Sequence, residues 1–391
     1  MSAREVGKRI AYYRSVHRPP LTQRQVADTA GVALGTIRKI ERGERGAGVA
    51  VMDAIADALG VDPSELLSDR DAARTRVRDA LPSLSHSIAA YDLPDNGPVR
   101  PLAALHGAVE EAEGWRLAAR YTPIARKLPA LLAELLRGYN SALGSRSDWS
   151  ALVVRAARSA DAVAYKFGAR DLSARMIELM RWAVPESGDP LLASSVAYVR
   201  TETFFAARAH AVGLRALEAA IDASPAPDDV PTAASRGALH MRAAVIAGRA
   251  ADASAATLHL SEARKLAENV KEDVYLGTAF GPDSVRIHEV SVAVSLGNDH
   301  VGRALEVARE WKPPTSLPAE RRSGFYIEMA RAQLWAGHPD AAFEALKVAR
   351  EIAPQHTREH PWVRQDAATL RRLKRAGVDD LTAFAEWCAA T

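Results

Sequence analysis

LTQRQVADTAGVALGTIRKIERG, residues 21–43, reads as two short helices joined by a tight turn. Thr22 is placed to cap the first, with Gln25 three residues on in the capping-box position. That helix runs to about Thr29. Val26 faces the core, and Ala27 is small where a second helix must cross closely. Gly31 suits the left-handed turn conformation that a branched residue resists. The next helix runs from about Ala33 to Arg42. Ile37 and Ile40 bury one of its faces together with Val32, and Leu34, Gly35, Arg38 and Lys39 lie on the opposite face.

The flanks extend the pattern. Arg4 to His17 is a helix with Val6, Ile10 and Tyr13 at core spacing, stopped by Pro19-Pro20. Val49 to Leu59 is a helix through Ile55 and Leu59, closed by Gly60. Asp62-Pro63-Ser64-Glu65 starts a fifth, with Pro63 in the first turn and Leu66 and Leu67 beyond. Charge is distributed unevenly. Residues 1–48 hold ten Lys and Arg against four acids, whereas residues 49–70 hold five acids and one Arg. The positive charge is therefore concentrated around the opening stretch, as a phosphate-binding surface requires.

Five helices in about 65 residues, carried by Gln23, Ala27, Gly31, Val32, Ile37, Ile40, Glu41 and Gly43 and by ALGVDPSELL at 58–67, resemble the Xre/Cro family of helix-turn-helix repressors. The resemblance implies a lambda-repressor-like domain over residues 1–68 that binds double-stranded DNA. Its third helix would enter the major groove, and Gln23, beside the capping Thr22, would touch the backbone. The base-reading positions then fall on Ala33, Leu34, Gly35 and Lys39, with Thr36 and Arg38 nearby. Leu34 could meet a thymine methyl and Lys39 a guanine, while Gly35 offers only backbone. Direct readout is thin, which shifts weight to Arg38, Arg42 and Arg45 at phosphates and to DNA shape.

Residues 69–99 read as a linker, a charged helix from about Asp71 to Tyr91 kinked at Pro82 and then a loop. From residue 100 to 391 the pattern is helical, with no convincing strand. Turn signals recur at about 168, 209, 248, 297, 337 and 377, mostly about 40 residues apart, which is the signature of stacked helical hairpins. SGFYIEMARAQLWAGHPDAAFEALKVAREIAP, residues 323–354, resembles a tetratricopeptide repeat through Tyr326, Ala330, Gly337, Ala342, Leu346, Ala349 and Pro354. The fold class expected is all-α, a five-helix head followed by a tetratricopeptide-like α-solenoid of five or six repeats that senses a signal and dimerises. Such solenoids are concave. Mapping the inner positions of the clear unit onto weaker ones gives Arg155, Arg158, Tyr165, Tyr198, Glu202, Phe205, Arg242, His288 and Arg331 as groove candidates, since guanidinium groups and rings suit a peptide's carbonyls, carboxylate and apolar side chains.

Bulk properties bound the alternatives. Hydrophobic residues make up 48% and aromatic residues only 6%, so a large core must be built from Ala and Leu, the leading helix formers. Cys388 is the only cysteine, which excludes an intramolecular disulfide and fits a reducing cytosol. The charged N-terminus lacks a signal peptide's apolar stretch, and no run reaches a membrane span. No catalytic constellation, phosphate loop or metal motif is visible. GERGAG at 43–48 follows a helix, and His356 and His360 lie beside prolines. The expectation is not an enzyme, with no cofactor and no metal. The two-part layout resembles the peptide-responsive Gram-positive regulators, and the Ala- and Arg-rich composition resembles an actinobacterial source. This implies a cytoplasmic homodimer on a palindromic operator, with a small signalling ligand or peptide as the second partner. A tetratricopeptide adaptor with secondary DNA binding is the alternative.

Overall fold

The computed structural model describes residues 3–17, 19–61, 66, 72–141, 144–373 and 379–390. The chain divides into two compact units, Met1–Ala80 and Leu81–Thr391, and the division falls inside the stretch expected to be a linker.

In the first unit α1 spans Ala3–Val16, α2 Gln23–Thr29, α3 Leu34–Glu41 and α4 Val49–Leu59. Each lies within a residue or two of its expected limits because local chemistry sets them. The Thr22 hydroxyl accepts from the Gln25 backbone N–H while the Gln25 side chain accepts from Thr22, a complete capping box. Gly31 turns the chain between α2 and α3 at φ 64°. Ile10, Val26, Ile37, Ile40, Met52, Ile55 and Leu59 form one apolar cluster, and each such side chain contributes about 1.5–3 kcal/mol on full burial. The expected fifth helix lies outside the described residues except for Leu66, which is helical and fully buried in the same cluster.

α1 approaches α3 more closely than the sequence suggested. A Cβ on Gly7 would stand 2.2 Å from the Ile40 carbonyl oxygen. The rim of this crossing is tied by Arg14, whose Nε donates to Glu41 at 2.8 Å, while the Gln23 amide donates to the other oxygen of Glu41 at 2.7 Å.

α5, Ala72–Ser87, contains Pro82. The second unit then runs in helix pairs: α6 Leu102–Leu117 with α7 Tyr121–Asn140, α8 Arg146–Lys166 with α9 Arg170–Ala183, α10 Pro190–Ala207 with α11 His210–Ala223, and α12 Val230–Arg249 with α13 Ala253–Ala267. After an interruption come α14 Pro282–Leu296 with α15 Val301–Glu310, α16 Ala319–Trp335 with α17 Pro339–Ile352, a short α18 Pro354–Glu359, and α19 Pro361–Leu373 with α20 Asp379–Trp387. The pairs outnumber the five or six repeats expected. The first helices of successive pairs pack side by side, as a helical-hairpin array requires. In the clear unit, Ala330, Ala342, Leu346 and Ala349 are fully buried as the periodicity predicts. Of the last turn signal, residues 376–378 lie outside the described residues.

One detail refines the sequence reading and one departs from it. The turn expected at about 248 is present, but its left-handed residue is Ala251, while Gly248 sits inside α12 with its Cβ position 3.0 Å from the Ser295 Cβ. The interruption between α13 and α14 is a β-hairpin, β1 Asp273–Tyr275 antiparallel to β2 Thr278–Phe280. Its two-residue turn, Leu276-Gly277, has both φ angles positive, as the turns that match strand twist require. Phe280 is buried where Gly237 makes room, since a Cβ there would lie 2.0 Å from the Phe280 ring.

The array curls until α16 touches α6. Gln355, in α18, accepts the Tyr121 backbone N–H at 2.7 Å and donates to the Thr122 hydroxyl at 2.9 Å. Lys166 pairs with Glu320 at 2.8 Å and meets His356 Nε2 at 3.1 Å. Contacts between residues so distant in sequence wrap the inner face around a polar interior.

Candidate functional site

On the first unit, the helix that the resemblance assigns to DNA presents Gly35, Arg38 and Lys39 to solvent, with Ala33 exposed at its cap and Arg42 and Arg45 exposed beyond its end. Arg38 and Lys39 stand free of any ion pair among the described residues. Arg42 lies 3.1 Å from Glu44 with both side chains exposed, a pair worth little that phosphate can replace. Thr36 is half-buried. Leu34 is half-buried and leans on the core cluster, so only part of it is available to a partner. Thr22 is exposed but its hydroxyl serves the capping box, and the hydrogen bond to Glu41 leaves Gln23 one amide N–H.

The nine groove candidates fall into three groups. Tyr198, Glu202, Phe205 and Arg242 come together. The Arg242 guanidinium lies between the rings of Tyr198, at 4.8 Å, and Phe205, at 4.9 Å. Its Nε donates to Thr201 at 2.6 Å and it faces Glu202 at 3.7 Å. Arg158 and His288 join this group from either side, and Tyr165 stands half-buried next to it on α8. Arg155 and Arg331 are committed elsewhere: Arg155 Nε donates to Glu113 at 3.0 Å, and Arg331 pairs with Asp366 at 2.8 Å and stacks on Trp362 at 4.3 Å.

Residues outside the sequence-based set complete the inner face. Arg321 donates to the Tyr198 hydroxyl at 2.8 Å and comes within 3.5 Å of His288 Nε2. Arg116, on α6, donates to the Gly277 carbonyl at 2.8 Å. Asp161, fully enclosed on α8, accepts from Ser173 at 2.6 Å. Burial, reinforced by Glu202 next to it, pushes the Asp161 carboxyl well up, and burial raises Glu202 as well, against the opposing charges of Arg242 and Lys166. Burial alone would raise Glu320, but Lys166 holds it well below the usual carboxylate range. Burial, with Arg321 adding to it, depresses His288 to about 3, so its ring is neutral near pH 7. The face thus combines fixed cations, two neighbouring buried acids and aromatic rings, which suits binding of a polar molecule. Among the described residues no group of three His, Cys, Asp or Glu side chains is placed to hold a metal, and no helix is long and apolar enough to cross a membrane.

Residues 21–66 match the family described as Helix-turn-helix. No curated protein matches the chain. Among solved structures, Bacillus thuringiensis PlcR in complex with the peptide PapR7 and DNA is similar over 68% of this chain and 95% of its own, at 12% identity and a TM-score of 0.28. A superposition that loose transfers neither a residue nor a ligand.

Proposed function

We propose that the chain is a sequence-specific DNA-binding regulator of transcription. Its tetratricopeptide-like array, residues 100–391, senses a small signal, and two copies act together on a palindromic operator in the cytoplasm. The observation that carries this reading is the outer face of α3, which leaves Arg38 and Lys39 without an ion pair among the described residues beside an exposed Gly35, within the segment that matches the helix-turn-helix family. Lys39 reads a base edge, and Arg38, Arg42 and Arg45 hold phosphates. With Leu34 half-buried and Gly35 without a side chain, one head reads few bases. Pairing two heads about 34–36 Å apart, one turn of DNA, supplies the missing specificity, and a signal that reorients the arrays changes whether both heads bind at once.

Selection from a random duplex pool tests this reading. The purified chain is expected to enrich a two-fold symmetric site and to bind it with strong salt dependence. The double substitution Arg38→Ala/Lys39→Ala should weaken that site by about 10- to 100-fold, the effect of one lost bidentate base contact and one phosphate contact. Arg42→Ala should weaken all sequences about equally. Failure to enrich any sequence would sink the regulator reading and leave an interaction adaptor.

A further inference from the structure

Three arginines meet on the inner face of the array with no ion pair to a carboxylate among the described residues. Arg116, Arg158 and Arg321 come from α6, α8 and α16, and Arg116 and Arg158 are buried. Their acceptors are neutral. Arg158 donates to the Ser195 and Thr278 hydroxyls, each at 2.6 Å, and to the Leu276 carbonyl. Arg116 donates to the Gly277 carbonyl, and its Nε is buried with no acceptor among the described residues. Arg321 has the Tyr198 hydroxyl. The nearby acids are engaged: Glu113 with Arg155, Glu320 with Lys166 and Glu202 with Arg242, while Glu272 and Glu328, whose fields reach Arg321, accept from Ser284 and Ser291. Buried guanidinium groups met only by neutral oxygens are poorly compensated for lost hydration. Burial and the adjacent Arg116 bring Arg158 down to about 9, whereas for Arg321 burial is outweighed by Tyr198 and Glu320, which raise it.

The group seated on two of these arginines is the turn of the β-hairpin. A Cβ on Gly277 would lie 2.7 Å from Arg116 Nη2 and 3.0 Å from Arg158 Nη1, so the turn backbone rests directly on both guanidinium groups. The hairpin itself is slight. Its strands have three residues each, Leu276 adopts a left-handed φ of 45° that a branched side chain disfavours, and that side chain is 39% exposed. Two-stranded hairpins are marginal by themselves.

We propose that Arg116, Arg158 and Arg321, with Ser195 and Tyr198 between them, form a binding site for an oxyanion, a carboxylate or phosphate group, and that the Leu276-Gly277 turn is the chain's own neutral occupant, displaced when the anion binds. The site rests on the sensor reading only for its biological use. A charged oxygen replaces a carbonyl with a hydrogen bond roughly twice as strong, and the fork of a guanidinium fits either anion.

Titration calorimetry on the full chain tests the site, with inorganic phosphate in one series and acetate in another. The buffer contains no other oxyanion, and ionic strength is held constant with sodium chloride. Saturable binding of at least one anion is expected. Gly277→Ala, which unseats the turn, should tighten it about tenfold, and Arg158→Gln should weaken it about tenfold or more. Preference for phosphate assigns a phosphorylated ligand, and preference for acetate a carboxylic acid. If Arg158→Gln does not fold, Arg158→Lys keeps the charge and loses the fork, and it should still bind more weakly. The site is overturned by absence of saturable binding of both anions to both the native chain and Gly277→Ala, or by binding that the Arg158 variants leave unchanged. Gel shifts with the selected DNA run in parallel. Anion binding without a change in DNA affinity keeps the site and removes the sensor reading, whereas intact DNA binding with no anion binding removes the site alone.

Discussion

The head and the array use charge in opposite ways. In the head, apolar side chains pack against one another and Arg38, Lys39, Arg42 and Arg45 remain in water. The array turns Arg116, Arg158, Arg242 and Arg321 inward, onto rings, hydroxyls and carbonyls. A surface cation costs the fold almost nothing and is available to a partner of any sequence. A buried cation costs the fold unless something fills its hydrogen bonds, so its environment selects what can sit there. On the reading proposed above, the exposed cations of the head suit a large polyanion at its surface, and the inward arginines of the array suit a small ligand.

If stability in the head resides in close packing alone, its most sensitive point is a contact without charge. Gly7→Ala places a methyl 2.2 Å from the Ile40 carbonyl oxygen, with backbone on both sides of the clash. Neither side can rotate away, so α1 must move off α3. The expected loss is about 3 kcal/mol, the upper end for overpacking a tight core. It should appear as an early unfolding transition of the head in calorimetry, with the array's transition in place. An unchanged head transition would mean that α1 is not a fixed part of the domain.

The same contrast explains how much the sequence revealed. In the head, boundaries come from Thr22, Gln25, Gly31 and Gly60, each acting on its own neighbourhood, and all were legible. Gly7 was not, because its reason is a backbone in another helix. In the array, periodicity identified inward positions such as Arg158, Tyr198 and Arg242, but what an inward arginine touches is set by elements far along the chain. Arg158 holds Leu276 in the turn and Thr278 in β2 of a hairpin whose strands are too short to show a period-two pattern. Arg321 was missed because the repeat signature begins at Ser323, while the helix begins at Ala319. Within the turn expected at about 248, Ala251 and not Gly248 takes the left-handed conformation, because a glycine in a close helix crossing and a glycine in a turn are indistinguishable in sequence.

A pH series probes the inward side of the comparison. Burial pushes the Glu328 carboxyl up to about 7, against the Ser291 hydroxyl that donates to it and the more distant Arg249 and Arg321. An acid whose folded pKa lies above its unfolded value holds its proton more tightly when folded. Its contribution is fully present below about pH 4 and is lost as pH rises through about 7, with a limiting slope of about 1.4 kcal/mol per pH unit. His288 and His356, both depressed to about 3 by burial, act in the opposite direction between about pH 3 and 6.5, because folding there excludes their protons. The informative quantity is thus the difference between the native chain and Glu328→Gln. Urea unfolding should show the variant gaining about 1–3 kcal/mol relative to native between pH 5 and pH 8. Parallel pH profiles would mean that water reaches Glu328 freely and that the interior is less enclosed than its contacts imply.

The smallest effect tests the outward side. Gly35 lies in the first turn of α3 with helical backbone, and nothing stands within 4 Å of where its Cβ would be. No turn, crossing or strain in the head calls for glycine there, and alanine is the better helix former. Gly35→Ala should therefore stabilise the head by about 0.5 kcal/mol. If α3 enters the major groove as proposed, a bare backbone at Gly35 would let it sit closer to the bases. The same substitution is then expected to lower affinity for the selected site by about threefold or more, in a titration at fixed salt, while improving the melting temperature. Stability and affinity rising together would remove Gly35 from the contact surface and shift the reading helix toward Lys39 and Arg42.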